Sequence, residues 1–105
     1  MAKKPETLLK EKVIADIKTM PSTYVVKIQQ VSIRGTLDLM LCVAGNFVAL
    51  ELKANDEEDL DDLQKHEAEK IRKAGGYVFK VTPMIWPGVF QSLKKLAYFE
   101  AKTVA

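Results

Sequence analysis

Residues 37–53 read LDLMLCVAGNFVALELK, and this stretch decides the fold that we predict for the chain. Two apolar runs flank Gly45-Asn46, a pair that favours a two-residue turn between antiparallel strands. We therefore predict a hairpin formed by strands over residues 37–43 and 47–53.

This hairpin brings three charged side chains together. With that turn, Asp38 lies opposite Lys53 and diagonal to Glu51, and all three side chains project from one face of the sheet. Two neighbouring carboxylates cost free energy unless a cation compensates them. Mg²⁺ prefers oxygen ligands and is typically held by one or two carboxylates and several waters. The patch therefore predicts a divalent-metal site suited to phosphodiester hydrolysis, with Lys53 orienting the nucleophile or offsetting charge on the phosphorus oxygens.

The residues alone leave a simpler interpretation open. Glu-x-Lys occurs by chance in most proteins, so Glu51 and Lys53 can be ordinary polar residues near a strand end. Asp38 would then open the preceding strand at its exposed edge. The metal site is favoured by the combination of Gly35-x-x-Asp38, the hairpin spacing and the helix that follows.

A helix predicted over residues 59–74 carries one polar residue, Gln64, within its apolar stripe. The stripe consists of Leu60, Leu63, Ala68 and Ile71. Gln64 either points toward the sheet, where its amide would orient Lys53, a water or a phosphate, or lies half-exposed at the edge of the stripe. The only histidine, His66, is turned away from Gln64 around the helix and is predicted to be exposed.

An acidic residue, Glu6, begins the apolar face of a first helix predicted over residues 6–20. That face consists of Leu9, Val13, Ile17 and Met20. Glu6 either adds a carboxylate to the metal site or stabilises the helix N-terminus through the helix dipole. The residues alone favour the dipole.

The remaining elements complete an α/β fold. We predict strands over residues 24–29 and 77–81 and, beyond a turn marked by Pro83 and Pro87, a final amphipathic helix. The element order is αβββαβα, which gives a mixed four-stranded sheet flanked by helices in a single domain over residues 1–105. The aromatic residues near the end are predicted to lie in the core or in a subunit contact: Trp86, Phe90, Tyr98 and Phe99.

Composition limits the class of protein. The chain has 105 residues and a single cysteine, so it cannot form an internal disulfide, and a reducing, cytoplasmic location is the simplest expectation. Cys42 lies within an apolar strand and is predicted to be a core thiol. The longest apolar run, over residues 39–44, is too short to span a membrane.

Charge distribution is more informative than the net charge of +2, which neither demands nor excludes a nucleic-acid partner. Arg34 is our first choice for a phosphate contact, and Gly35 either lets the backbone approach a phosphate or is a turn glycine. An acidic run over residues 56–62 is explained mostly by a helix start, with a capping box of Asn55 and Glu58. Because the run would repel a phosphate backbone, the duplex passes on the other side of the site or the loop moves.

The sequence resembles the PD-(D/E)xK nuclease superfamily and, more narrowly, small stand-alone members of the virus-type replication-repair nuclease (VRR-NUC) family. The motifs are Glu6, RGTLD at 34–38, GNFVALELK at 45–53, Gln64 and AGGYVF at 74–79. The resemblance implies that Mg²⁺ or Mn²⁺ is bound by Asp38, Glu51, the backbone carbonyl of Leu52 and the first-helix glutamate, Glu6. It also implies that Lys53 is the catalytic lysine and Gln64 the helix glutamine of the family. Leu37 stands where the superfamily has proline, which is not a ligand.

The resemblance further implies a DNA endonuclease of repair or recombination that acts on branched DNA. Stand-alone members of the family resemble Holliday-junction resolvases acting as homodimers, in a bacterium or a phage-infected host. Two other classes remain: a non-catalytic DNA-binding module that keeps the fold, and a protein-interaction domain without a nucleic-acid partner. The presence of Asp38, Glu51 and Lys53 together argues against both.

Overall fold

The computed structural model describes residues 3–28 and 37–101 and has the predicted element order αβββαβα. Its elements are α1 (Pro5–Ile17), β1 (Thr23–Lys27), β2 (Leu39–Val43), β3 (Asn46–Leu52), α2 (Asp62–Lys73), β4 (Tyr77–Val81) and α3 (Trp86–Ala101). No helix in this part of the chain is both long and apolar enough to cross a membrane.

The strands form the predicted mixed sheet in the order β1-β2-β3-β4. β1 pairs with β2 and β2 with β3 in antiparallel fashion, whereas β3 and β4 are parallel. A parallel pair needs a crossover connection, and α2 supplies it. The site residues on β3 therefore lie between an antiparallel and a parallel neighbour.

The hairpin turn consists of Ala44 and Gly45, so the predicted Gly45-Asn46 turn is wrong. Both turn residues have positive φ, 48° and 88°, as a type I′ turn requires. Asn46 is instead the first residue of β3, opposite Val43, and its Nδ2 donates to the Val43 carbonyl at 3.1 Å.

The corrected turn shifts the predicted register by two residues. Leu39 pairs with Leu50, so Asp38 lies beside Glu51 and not opposite Lys53. Because side chains alternate with a period of two, the shift leaves all three charged side chains on the predicted face.

Two cores of unequal size cover the sheet. On one face, α1 and α3 pack on the alternating apolar residues of β2 and β3, among them Leu39, Leu41 and Leu50. On the other face, α2 packs through Ala68 on Ala49, both fully buried, in a much smaller core. The charged residues of the hairpin lie on this second face.

Several predicted boundaries differ from the structure. α1 ends at Ile17, before Met20, and β1 ends at Lys27. α2 begins at Asp62, so Leu60 precedes the helix, and Leu63 is 47% exposed and outside the stripe. Pro87 lies inside the first turn of α3, where a missing backbone N–H is tolerated.

Cys42 is exposed, so its prediction as a core thiol is wrong. It lies opposite Tyr24 on β1 and Phe47 on β3, on the face that carries α2. Because α2 packs over β3 and β4, Cys42 lies beyond the reach of the small core. The core position of Trp86 is confirmed: it is 3% exposed and stacks on Phe90 with ring centroids 5.3 Å apart.

Candidate active site

Asp38 is fixed at the point where β2 begins and β3 ends. Its Oδ2 accepts a hydrogen bond of 2.8 Å from the backbone N–H of Leu52, and its own carbonyl accepts one of 2.9 Å from Ile28. β2 begins at Leu39, so β2 offers no backbone carbonyl to the Leu52 N–H. The Asp38 carboxylate accepts the hydrogen bond in its place. This bond holds one carboxylate oxygen of Asp38 against β3.

Glu51 is a buried acid, and burial disfavours its charged form. The residue is 3% exposed, and its Oε2 has no hydrogen-bond partner among the residues described. Burial, followed by the neighbouring Asp38 carboxyl, raises the pKa of Glu51 to about 9, while Lys53 and Gln64 act in the opposite direction. A buried acceptor without a partner is costly, and a proton or a bound cation would offset that cost.

Lys53 extends over the same face, and its side chain is only 16% exposed. Its Nζ lies 3.4 Å from the side-chain oxygen of Gln64 and 4.0 Å from Oε1 of Glu51. The Gln64 side-chain oxygen faces Lys53, as the first interpretation of Gln64 expects, while the residue is only half-buried, as the second expects. His66, as predicted, is exposed.

The donors at this position fit a hard divalent cation. Asp38 and Glu51 offer carboxylate oxygens, and the Leu52 carbonyl points to the same side of β3 as its N–H, which binds Asp38. In residues 3–28 and 37–101, no group of three or more Asp, Glu, His or Cys side chains could enclose a metal. A Mg²⁺ or Mn²⁺ ion held by two carboxylates and a carbonyl would keep free coordination positions for water and a substrate phosphate.

The structure does not bring Glu6 into this cluster. Glu6 is exposed in the first turn of α1, and no contact within the described part of the chain joins it to Asp38 or Glu51. Its role as a metal ligand stays a prediction. Arg34 and Gly35 lie outside the described residues.

Hydrogen bonds from Lys80 on β4 and from Thr82, just after it, hold the loop that carries the acidic run. Lys80 Nζ donates to the Glu58 carbonyl at 2.8 Å, and the buried Thr82 hydroxyl donates to the Asp56 carboxylate. The predicted contact between Asn55 and Glu58 exists, at 3.0 Å, but it organises a turn and not the start of α2. These contacts place the negative charge on the β4 side of the site.

The helix start that sequence reasoning missed is Asp61. Asp61 and Gln64 form a capping box: the Gln64 N–H donates to Asp61 Oδ1 at 2.8 Å, and the Asp61 N–H donates to Gln64 Oε1 at 3.0 Å. The signal was available, since Asp61-x-x-Gln64 has capping-box spacing. Adjacent acids concealed which one is the cap.

Comparison with known proteins adds one finding. No protein-family model matches the sequence, and no curated protein matches it. A solved structure described as a "VRR_NUC domain" superimposes with a TM-score of 0.69 at 23% sequence identity, covering 91% of this chain and 97% of that chain. The chain therefore has the fold of a VRR_NUC domain over nearly its whole length, as the sequence resemblance implied.

Proposed function

We propose that this chain is a metal-dependent DNA endonuclease that hydrolyses phosphodiester bonds. The observation that carries the proposal is Glu51, a buried carboxyl group placed beside Asp38 and Lys53, whose Oε2 has no partner in the part of the chain that the structure describes. A structural core does not need that arrangement, whereas a cation-binding site does. The fold, shared with a VRR_NUC domain, agrees with this chemistry.

Each residue has a separate task in the proposed reaction. Asp38, Glu51 and the Leu52 carbonyl would hold Mg²⁺ or Mn²⁺, and the bound ion supplies Lewis-acid activation of the phosphate and of a water. The Leu52 N–H keeps Asp38 in place. The Lys53 ammonium, held by Gln64, is positioned to orient the attacking water or to offset charge on the phosphoryl oxygens.

The proposed substrate is branched DNA, cut by a homodimer. The acidic run, whose loop is bound to β4 through Lys80, repels a phosphate backbone on that side, so a substrate whose strands diverge at the site suits this surface better than a continuous duplex. Two symmetry-related cuts in a junction need two sites related in the same way, which a two-fold dimer provides. The sequence resemblance to junction resolvases supports the same substrate.

The test is cleavage of labelled four-way junction, flap, single-stranded and linear duplex DNA with Mg²⁺, Mn²⁺ or EDTA. We expect paired cuts in the junction that require metal and that Lys53→Ala reduces at least about 100-fold. The matched control is Lys65→Ala, because Lys65 is an exposed lysine paired with Asp59. Its activity should stay near that of the wild type.

Two results would contradict the proposal. Salt-sensitive DNA binding without metal-dependent cleavage of any substrate would favour the non-catalytic DNA-binding module. If the protein has the mass of one chain at the concentration of the assay and still makes paired cuts, the homodimer part of the proposal is wrong and the nuclease part stands.

A further inference from the structure

One oxygen atom links the start of α2 to the lysine of the site. Gln64 Oε1 accepts a hydrogen bond from the Asp61 N–H at 3.0 Å and another from Lys53 Nζ at 3.4 Å. A side-chain amide oxygen has two lone pairs and can serve both donors. The capping box and the candidate active site therefore share an acceptor.

The capping box fixes the conformation of Gln64. A free glutamine side chain has three rotatable torsions and loses considerable rotamer entropy when it is held in one conformation. Here the backbone of Gln64 is bound to Asp61 Oδ1 at 2.8 Å, and its side chain folds back to the Asp61 N–H. Asp61 therefore binds both the backbone N–H and the side-chain oxygen of Gln64, independently of the contact with Lys53.

Asp61 itself lies outside the site. It is exposed, and within the described residues no hydrogen bond or ion pair joins its carboxylate to Lys53, Glu51 or Asp38. Among the described residues, the hydrogen bonds that lead from its carboxylate to the lysine run through Gln64. A substitution at Asp61 therefore tests orientation without removing a group that touches substrate.

We propose that Asp61 is a positioning residue for Lys53, acting through the capping box that sets the side chain of Gln64. This inference rests on the proposed nuclease function for its catalytic consequence but not for its structural one. Loss of the Asp61 carboxylate frees the Gln64 N–H and loosens the return bond, so the amide oxygen no longer stays beneath Lys53. The ammonium then samples positions away from the reacting phosphate.

The first measurement is the order of the Gln64 side-chain amide, observed by nitrogen-15 NMR and assigned from its disappearance in Gln64→Ala. We expect the amide to be rigid in the wild type and in Asp61→Ser, which retains a capping oxygen, and to be mobile in Asp61→Ala. Asn55→Ala is the matched control, because Asn55 caps a turn in the same loop without touching Gln64. Its Gln64 amide should remain rigid.

The second measurement is cleavage. We expect Asp61→Ala to lower kcat on the order of 10-fold without raising KM, since loss of one acid of the run does not weaken DNA binding. Asp61→Ser should restore kcat to within about twofold. In a Gln64→Ala background, Asp61→Ala should cause no additional loss, because the path from Asp61 to Lys53 is already broken.

These results separate the inference from the function on which it rests. A Gln64 amide that stays rigid in Asp61→Ala, or a full additional loss of kcat in the Gln64→Ala background, would overturn the positioning role. If no variant and no wild-type protein cleaves DNA, the nuclease proposal fails, while the amide order still decides the role of Asp61. Should Asp61→Ala not fold, Asp61→Gly removes the same carboxylate at a smaller cost to the helix and carries the same prediction.

Discussion

Glu51 is a buried acid whose pKa departs strongly from its value in water. Burial and the adjacent Asp38 carboxyl raise its pKa from 4.5 to about 9 in the folded protein without metal. The folded state therefore holds the Glu51 proton more tightly than the unfolded chain does. The associated stability is fully present below about pH 4.5 and is lost as the pH rises toward 9.

Glu51→Gln should therefore stabilise the metal-free protein in a pH-dependent way. The amide has the shape of the neutral carboxyl but carries no proton that unfolding releases. We expect the free energy of unfolding in EDTA to rise by about 3 kcal/mol near pH 7 and hardly at all near pH 4.5. Urea unfolding at both pH values measures it, with the exposed Glu69→Gln as control. Equal stabilisation at both pH values would show that the Glu51 pKa is not raised.

Metal binding should release the proton from Glu51. Because a carboxylate ligand must be ionised and the pKa of Glu51 is raised to about 9, the apparent affinity for Mg²⁺ should increase as the pH rises toward 9. Titration calorimetry in two buffers of different ionisation enthalpy should report about one proton released per metal near pH 7. Glu51→Gln should abolish that release. A Mg²⁺ affinity that does not change with pH would show that Glu51 is not a ligand of the metal.

At the scale of the elements, the hairpin illustrates what a sequence pattern can determine. The two apolar runs around the turn predict two paired strands, and the strand period of two predicts which side chains share a face. They do not distinguish registers that differ by two residues, because the pattern has a period of two. Gly45-Asn46 also has better local turn preferences than Ala44-Gly45, so contacts beyond the two turn residues, such as the packing of the hairpin against α1 and α3, must favour the observed turn.

The observed turn places Ala44 in a strained backbone conformation, and glycine at this position should relieve the strain. Ala44 has φ 48°, a conformation that costs an L-residue with a Cβ atom about 1 kcal/mol. We expect Ala44→Gly to raise the free energy of unfolding by about 0.5–1 kcal/mol, as judged by urea unfolding. Ala74→Gly, at the C-cap of α2 with φ −83°, is the control and should not stabilise the protein. A destabilised Ala44→Gly variant would argue for the originally predicted turn.

At the scale of the whole molecule, the helices cover the two faces of the sheet unequally. α1 and α3 enclose one face, whereas α2 covers only β3 and β4 on the other and leaves Tyr24, Cys42 and Phe47 exposed. The candidate site lies on this open face, where a substrate as large as DNA can approach. Sequence periodicity assigned the residues to faces but not the extent of helix cover, which is why Cys42 was misplaced.

The placement of charge on the molecule leads to a prediction about substrate choice. Lys80 holds the Glu58 carbonyl and Thr82 holds the Asp56 carboxylate, so the loop that carries these acidic charges is fixed on the β4 side of the sheet. Within about 10 Å at 0.1 M salt, such charges repel phosphates appreciably. A linear duplex that crosses this side meets the repulsion, whereas a branched substrate whose arms diverge at the site avoids it.

Neutralising the run should therefore weaken discrimination between substrates. Glu57→Gln combined with Asp62→Asn removes two exposed carboxylates of the run. We expect affinity for linear duplex to rise about threefold or more and affinity for a four-way junction to change less, at constant salt. Fluorescence anisotropy with both DNAs measures the ratio, and Glu69→Gln, on an exposed position of α2, should leave it unchanged. Parallel increases for both DNAs would mean that the run repels nucleic acid in general and does not select its shape.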